Sequence, residues 1–415
     1  MKILALTVGG SCAPLVTAIR EYQPDRVCFF ATAGPRGSRI TVDGPGSPCR
    51  QATGEEHPSI VIQTGLSPDR YEVVELEDPD DLPALFEVCM AKLRDLRQKY
   101  PDAQCIADYT GGSKSMSLAL ALAALECGWE LSLVRGQRPD LVKVADGTEL
   151  AGLVNIAQVR AHQQMEEARR LFNAYAYTSA QAILESIVRS APLPRKLEQR
   201  IQTWVVLCRG FDAWDRFDHQ RAFQILQTVQ SHVVPQWRFL KRLVGQDRPS
   251  GYEPVLDLIR NAERRAAQGR YDDAVARLYR ALELLAQIRL RIVHQIDTGD
   301  VKPELLPLEI RPRYENRQKM QAALGRDRTL KLGLWEAYEL LVDLDDPVGQ
   351  VIKEQEGPLR DVLSRRNQSI LAHGTSPIRE EEYRRIHEIV VGLIEAGLKA
   401  INVQVEAPQF PELPS

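Results

Sequence analysis

The amino-acid sequence predicts an α/β domain at the N-terminus, followed by an all-helical remainder. In the first third of the 415 residues, short apolar runs alternate with helical segments. From about Ala151 the strand signals stop, and amphipathic helical stretches follow. Strands that alternate with helices favour a Rossmann-like, mainly parallel sheet covered by helices on both faces. We therefore predict a sheet domain over residues 1–150, a helical connector over 151–265, a helical bundle over 266–405 and a loose tail over 406–415.

The individual elements follow from local periodicity and from glycine and proline breaks. Strands are predicted at 3–8, 26–31, 59–63, 71–76, 105–109 and 130–134, with helices at 82–100 and 115–127 between them. In the connector the pattern predicts helices at 161–187, 197–210 and 220–233. In the bundle it predicts helices at 271–293, 330–344 and 381–400.

Composition excludes several classes of protein. Hydrophobic residues make up 44% and charged residues 26% of the chain, which is typical of an ordinary soluble protein. The formal net charge of −3 provides no global basic field, so any contact with nucleic acid must be local. The seven cysteines lack CxxC spacing, which predicts reduced thiols and no metal site in a cytoplasmic protein. No apolar run is long enough to span a bilayer, so we expect no membrane partner.

Two glycine loops follow predicted strands and precede predicted helices. Glycine lets the backbone approach a ligand closely, and a helix N-terminus offers free N–H groups to an anion. Hydroxyl groups and one lysine add polar contacts, so the loops suit a phosphate or a nucleotide. The candidate ligand residues are Gly9, Gly10, Ser11, Thr110, Gly111, Gly112, Ser113, Lys114 and Met116.

The second loop does not match the common nucleotide motifs. Ser113 separates Gly112 from Lys114, so the Walker A order is absent, and no G-x-G-x-x-G fingerprint occurs. A tight strand-to-helix turn with a capping serine would use the same residues and remains an alternative.

A second candidate site lies near the end of the bundle. Arg366 and His373 are seven residues apart, so on a helix they would project from nearly the same face, about 10 Å apart. Asn367 adjoins the arginine, and Gly374 is suited to end the helix. A guanidinium can hold a phosphate, and an imidazole can move a proton near neutral pH, although a polar helix face with an incidental histidine is the alternative.

The clearest predicted helix, at 271–293, has one apolar stripe and carries arginines along its length. Such charges usually form a solvated face, but they could also line an RNA-binding cleft. These residues are Arg277, Arg280, Arg289 and Arg291.

The pairing of the two sites resembles a known family. The loops at Gly9 and at 108–116 are similar to the two ligand loops of CARF domains, which are CRISPR-associated Rossmann-type sensors. The stretch from Arg366 through His373 is similar to the R-x4-6-H signature of HEPN ribonucleases, and 271–290 resembles the first long helix of such domains. The chain thus resembles the CARF–HEPN ancillary ribonucleases of type III CRISPR systems over its first and last 150 residues or so.

This resemblance implies a homodimer activated by cyclic oligoadenylate, with tetra-adenylate favoured over hexa-adenylate on family frequency alone. It implies metal-independent cleavage of single-stranded RNA to 2′,3′-cyclic phosphate ends, without a cofactor. Arg366 would stabilise charge on the phosphoryl group, His373 would transfer a proton, and Asn367 would orient the histidine or a phosphate oxygen. Arg365 is the alternative arginine.

Three other functions stay open at this point. A non-catalytic regulator would need a basic DNA- or protein-binding element, and no clear helix-turn-helix is visible. A nucleotide hydrolase would need metal-binding acids, for which Asp108 alone is thin support. A sensor that cleaves its own ring ligand could use the hydroxyls of Ser11, Thr110 and Ser113.

Overall fold

The computed structural model describes residues 1–34, 37–50, 55–136, 150–154, 156–190, 192–323, 329–368 and 375–414. The chain divides into two compact units, Met1–Arg160 and Ala161–Ser415. The first is an α/β unit and the second is helical.

The first unit is built on a sheet of six described strands: β1 (Lys2–Thr7), β2 (Arg26–Thr32), β5 (Tyr71–Leu76), β6 (Gln104–Asp108), β7 (Glu130–Arg135) and β8 (Leu150–Val154). Their order across the sheet is β5-β2-β1-β6-β7-β8. The first five strands in that order run parallel, and β8 pairs antiparallel to β7. The fold class predicted from the sequence, a mainly parallel α/β sheet followed by helices, is confirmed. Strands β3 (Cys49–Arg50) and β4 (Glu56–His57) form a separate antiparallel pair.

Helices cover both faces of this sheet because the central strand is apolar on both sides. Along β1, Ile3 and Ala5 pack into one core cluster, and Leu4 and Leu6 pack into the other. This alternation is the period of two that a strand imposes on its side chains. The first cluster is closed by α4 (Leu82–Lys99) and α5 (Lys114–Glu126), and the second by α1 (Ala13–Tyr22).

Two sequence predictions in this unit are wrong. The segment 59–63 is not a strand: it lies in the short helix α3 (Ile60–Thr64), which ends at Gly65 with a left-handed φ of 66°. A short helix (α2, Arg39–Asp43) also precedes the pair of β3 and β4. Strand β8 extends past Ala151, where strand signals were expected to stop. It was missed because an edge strand with exposed leucines and a central glycine lacks a continuous apolar run.

The second unit consists of helices around two hydrophobic cores. The predicted helix at 161–187 is interrupted at Tyr175, whose φ is 61°. The predicted helix at 271–293 occurs with those bounds as α12. The helices are α6 (Ala157–Asn173), α7 (Tyr177–Ser190), α8 (Arg195–Asp215), α9 (His219–Leu226), α10 (Val234–Leu243), α11 (Glu253–Ala267), α12 (Tyr271–Val293), α13 (Arg311–Ala323), α14 (Leu334–Asp343), α15 (Pro347–Glu354), α16 (Glu356–Gln368) and α17 (Glu380–Ala400).

The predicted loose tail is instead packed against the helical unit. Phe410 is 5% exposed, and its ring centre lies 4.7 Å from that of Phe211 and 5.0 Å from that of Trp214. The Arg264 guanidinium covers the same ring at 3.6 Å. The backbone N–H of Leu413 donates to Asn173 Oδ1 at 2.8 Å. The prediction failed because it weighed the prolines of the tail and overlooked its buried apolar side chains.

The prediction that all cysteines are reduced is also wrong. Cys12 and Cys49 form a disulfide, whereas the remaining cysteines are free thiols. Sequence spacing could not reveal this pair, because 37 positions separate its members and the fold brings them together. Within the described residues, no helix is long and apolar enough to cross a membrane. In the same ranges, no group of three or more His, Cys, Asp or Glu side chains is arranged to hold a metal ion.

Candidate functional site

The two glycine loops meet at the point where the sheet changes its winding direction. Strands β1 and β6 are adjacent, while the chain continues from β1 to β2 on one side and from β6 to β7 on the other. Ligands of open α/β sheets bind beyond the carboxyl ends of strands at such a point. The loops touch, because a Cβ added to Gly9 would stand 2.8 Å from the Gly112 nitrogen.

The second loop requires glycine at two successive positions. A Cβ on Gly111 would lie 2.2 Å from the carbonyl oxygen of Thr7, and Gly112 has a φ of 84°. The Thr7 hydroxyl donates to the Gly111 carbonyl oxygen at 2.7 Å, and the Ser117 hydroxyl donates to the same oxygen at 2.7 Å. These contacts fix the course of the backbone across the carboxyl end of β1.

Ser113 and Met116 have contacts that stabilise the start of α5. Ser113 Oγ accepts a hydrogen bond from the Met116 N–H at 3.1 Å and donates to the Pro79 carbonyl oxygen at 2.5 Å. Met116 is buried beneath Gly112. The capping alternative is therefore present in the structure, and direct ligand contact by Ser113 or Met116 stays a prediction.

A buried carboxylate supports the loop from below. Asp108 accepts hydrogen bonds from Ser132 Oγ at 2.6 Å and from the Thr110 N–H at 3.1 Å. Burial raises the pKa of Asp108, although the hydrogen bonds from Ser132 and Thr110 act in the opposite direction. Thr110 Oγ1 accepts a hydrogen bond from the Val134 N–H at 2.8 Å. Asp108 is 1% exposed, and its hydrogen bonds hold the loop. Its position therefore does not favour the alternative of a metal-dependent nucleotide hydrolase.

Three predicted ligand residues remain open to solvent at this edge. Gly10 and Ser11 are exposed in the first loop, and Lys114 is exposed at the first position of α5. Backbone N–H groups at the start of α1 and α5 carry the positive ends of two helix dipoles. The edge therefore has the chemistry to bind an anionic ligand. Ser132 and Tyr22, which are joined by a hydrogen bond of 2.9 Å beside Asp108, were not anticipated from the sequence.

The second candidate site is described only in part. Arg366 and Asn367 lie on α16, near its C-terminal end. His373 and Gly374 lie outside the described residues. Earlier on α16, Leu359 and Val362 are buried and pack this helix against the core of the bundle.

The arginine that the sequence left as an alternative is engaged in an ion pair. Arg365 Nη1 lies 3.0 Å from Glu382 Oε1, on the first turn of α17. The other carboxylate oxygen of Glu382 accepts the N–H of Arg379 at 3.1 Å and caps the same helix. Arg365 therefore has an intramolecular partner in this structure, and the assignment of the catalytic role to Arg366 stays a prediction.

The carboxylate of Asp272 contacts the backbone of the segment that follows the motif. The N–H of Ile378 donates to Asp272 Oδ2, on the first turn of α12, at 3.1 Å. Asp272 Oδ1 is buried, and no donor among the described residues reaches it. A cavity of about 360 Å³ adjoins this region and is lined by Arg365, Ser376, Pro377, Ile378, Arg379, Glu382 and Ile386.

Three of the four arginines on α12 make intramolecular ion pairs. Arg289 lies 2.8 Å from the buried carboxylate of Asp346. Asp346 also caps the N-terminus of α15. Arg277 pairs with Asp273 at 3.3 Å, and Arg280 pairs with Glu283 at 2.7 Å. These contacts favour a structural role for the three arginines over an RNA-binding cleft.

Two family models match consecutive parts of the helical unit. The Csm6 6H domain matches residues 161–250, and the Csm6 HEPN domain matches residues 248–396. Together they span more than half of the chain. The chain belongs to the Csm6 family. The HEPN match assigns the second half of the helical unit of this Csm6-type chain to a family of ribonucleases.

Solved structures extend the comparison to the first unit. The chain is similar to Enterococcus italicus Csm6 bound to cyclic hexa-2′-fluoro-hexa-dAMP, with 16% identity and a TM-score of 0.60 over 97% of this chain and 95% of that chain. This likeness shows that the two chains share a fold over nearly their whole length. Can2 from Sulfobacillus thermosulfidooxidans, in complex with cyclic tetra-adenylate, aligns over 55% of this chain and 68% of that chain at 12% identity, and its TM-score of 0.23 carries no weight. No curated protein sequence matches the chain.

Proposed function

We propose that this Csm6-type protein is an endoribonuclease that is switched on when cyclic oligoadenylate binds to its first unit. The observation that carries the proposal is the pairing of a HEPN domain with a glycine-loop edge at the sheet switch point. Further support comes from the cyclic ligand in the similar E. italicus Csm6 structure. The candidate ligand residues are those of the two glycine loops, Gly9, Gly10 and Ser11 together with Thr110, Gly111, Gly112, Ser113, Lys114 and Met116.

Cleavage would proceed by transesterification within the RNA. The 2′-hydroxyl attacks its own phosphorus, the bond to the 5′-oxygen breaks, and the products carry a 2′,3′-cyclic phosphate and a 5′-hydroxyl. Arg366 stabilises the negative charge that accumulates on the phosphoryl oxygens. His373 gives a proton to the leaving oxygen, and Asn367 orients His373 or a phosphate oxygen. The chain's own groups supply this chemistry, so the reaction needs no metal ion.

The protein would act as a homodimer. One Arg and one His per chain make half of a composite cleft, and a symmetric ring suits a two-fold axis, since equivalent loops can meet equivalent phosphates. Leu118 and Leu122 lie one turn apart on α5 and are 47% and 39% exposed. Apolar side chains on one helix face of the sensor unit are suited to contact a second copy of the chain.

Ring size is part of the proposal. Cyclic tetra-adenylate remains the proposed activator, and the hexameric ring named in the E. italicus structure is the alternative to compare with it. Both rings offer adenines and phosphates, so both suit the glycine loops. Cleavage of a labelled RNA after addition of each ring, at matched concentrations, will rank them.

The deciding experiment measures cleavage of labelled single-stranded RNA with a chelator and a saturating ring ligand. The wild-type protein should cut, and His373→Ala should lose cutting while it binds the ring with unchanged affinity. Full activity in His373→Ala would overturn the nuclease assignment. Chromatography of the ring after the reaction will show whether the sensor also cleaves its ligand; Ser11 is the exposed hydroxyl among the three residues considered for that activity.

A further inference from the structure

The disulfide of the first unit ends on a candidate ligand loop. Cys12 directly follows Ser11 and stands at the start of α1, and Cys49 is the first residue of β3. The side chains of both cysteines are buried. The bond therefore fastens the Gly9–Ser11 loop to a segment 37 positions further along the chain.

The segment that the disulfide fastens is made of very short elements. Helices α2 and α3 have five residues each, and strands β3 and β4 have two residues each. Elements of this length contribute few hydrogen bonds of their own and are marginal without tertiary support. The covalent bond from β3 to the ligand loop thus adds to the apolar contacts that Val42 and Ile60 make in the core beside α1.

The pair is chemically distinct from the other cysteines. Burial raises the pKa of Cys28, Cys105 and Cys127, and it raises the pKa of Cys89 and of Cys208 to about 12, so these thiols stay protonated. Cys12 lies at the N-terminus of α1, where the helix dipole favours a thiolate, while the burial of its side chain acts in the opposite direction. The geometry of the pair sets it apart, because its two Cα atoms lie 5.7 Å from each other and an oxidant can link these two thiols directly.

We propose that Cys12 and Cys49 form a reversible thiol-oxidation site that sets how firmly the candidate ligand loop is held, with a low-molecular-weight disulfide as the oxidant. In the reduced protein, the Cys12 thiolate attacks one sulfur of glutathione disulfide and releases one glutathione. The Cys49 thiolate then attacks Sγ of Cys12 and releases the second glutathione. One disulfide bond breaks and one forms, and the two thiol protons end on the two glutathione molecules.

The oxidised state is the better ligand binder, because a loop restricted to fewer conformations loses less entropy when a ligand orders it. Reduction should weaken the binding of cyclic oligoadenylate by about tenfold. This part of the inference depends on the proposed function, since it takes the ring as the ligand. The change in loop attachment does not depend on the identity of the ligand.

The experiment equilibrates the full-length protein in buffers of reduced glutathione or glutathione disulfide. In the denatured protein, five thiols should titrate after oxidation and seven after reduction. The dissociation constants of the two rings are measured by calorimetry, and limited proteolysis follows cleavage in 39–57. Cys49→Ser, which lies outside the ligand loops, should match the reduced wild type in the reducing buffer. In the oxidising buffer it should stop at the mixed disulfide between Cys12 and glutathione, because the second thiol is missing. Cys127→Ser removes a half-buried free thiol and should respond to oxidation as the wild type does.

Seven titratable thiols after oxidation would overturn the proposal, and so would equal ring affinity and equal proteolysis in the two states of the wild type. If neither ring binds in either state, the proposed ligand is wrong. Proteolysis then decides the redox proposal alone: faster cleavage in 39–57 after reduction supports it, and an unchanged rate overturns it.

Discussion

The backbones of Gly9 and Gly112 approach so closely that a Cβ on the first would stand 2.8 Å from the nitrogen of the second. The two glycine loops therefore support each other across the boundary between β1 and β6. A change in the backbone of one loop must displace the other, although more than 100 positions separate them in the sequence.

Substitution of Gly112 by alanine should weaken ring binding by at least roughly tenfold. Its φ of 84° is unfavourable for a residue with a side chain, at a cost of about 1–2 kcal/mol, and its new Cβ would lie 3.0 Å from the Cβ of Met116. Calorimetry of ring binding measures the effect. Gly128→Ala is the matched control, because Gly128 also has a positive φ but has open space around it. Equal loss of affinity in both variants would mean that backbone strain alone, and not the ligand edge, is responsible.

Arg366 and its neighbour should contribute very differently to RNA cleavage. Arg366→Ala should lower kcat by about 10²–10³-fold, as loss of an oxyanion-stabilising group does. Arg365→Ala removes an exposed ion pair with Glu382 and should change kcat less than about fivefold. Single-turnover cleavage at saturating ring ligand measures both rates. The reverse order would transfer the catalytic role to Arg365 and shift the motif by one position.

Asp108 should make the stability of the first unit depend on pH. Its folded pKa is raised by burial above the ordinary value of 3.8, so the folded state binds more protons than the unfolded state between the two values. The stabilising contribution is complete below the unfolded pKa and is lost as pH rises through the folded pKa. The unfolding free energy of the wild type, relative to that of Asp108→Asn, should therefore decrease as pH rises from about 4 towards 7. A constant difference across that range would contradict the assignment.

Removal of the Phe410 ring should destabilise the helical unit by about 3–5 kcal/mol. The ring is buried against Phe211, Trp214 and Arg264, so its loss leaves a cavity beside a buried guanidinium. Urea denaturation of Phe410→Ala, followed by circular dichroism, measures the change. Glu412→Ala alters an exposed side chain two positions away and should leave the midpoint unchanged. An unchanged midpoint in Phe410→Ala would mean that the tail does not contribute to the core.

The sequence was sufficient for the elements with strong periodicity and insufficient for those set by distant contacts. The stripe of Leu278, Leu282 and Leu285 predicted α12 because a single buried helix face requires that spacing. The run at 59–63 has the β-branched residues of a strand, but it lies in the short helix α3, in which Ile60 packs into the core and Ile62 is exposed. Local propensity cannot predict such a case, because tertiary contacts decide which secondary structure forms.

Prediction of the candidate sites was limited in a similar way. The glycines of both loops could be identified because their type and position are local signals. The contacts of Asp108 with Ser132 and of Glu382 with Arg365 join residues far apart in the chain, so only the fold reveals them. The roles of the predicted ligand and catalytic residues stay predictions that the variants above address.

The central position of β1 has a consequence for synthesis of the protein on the ribosome. Residues 2–6 pair with 104–108, so β1 waits for one of its two neighbours until synthesis has passed residue 108. Both glycine loops acquire their shared geometry only at that moment. The nascent chain therefore cannot bind a nucleotide at this edge early, and the first unit should complete its sheet before the helical unit has emerged.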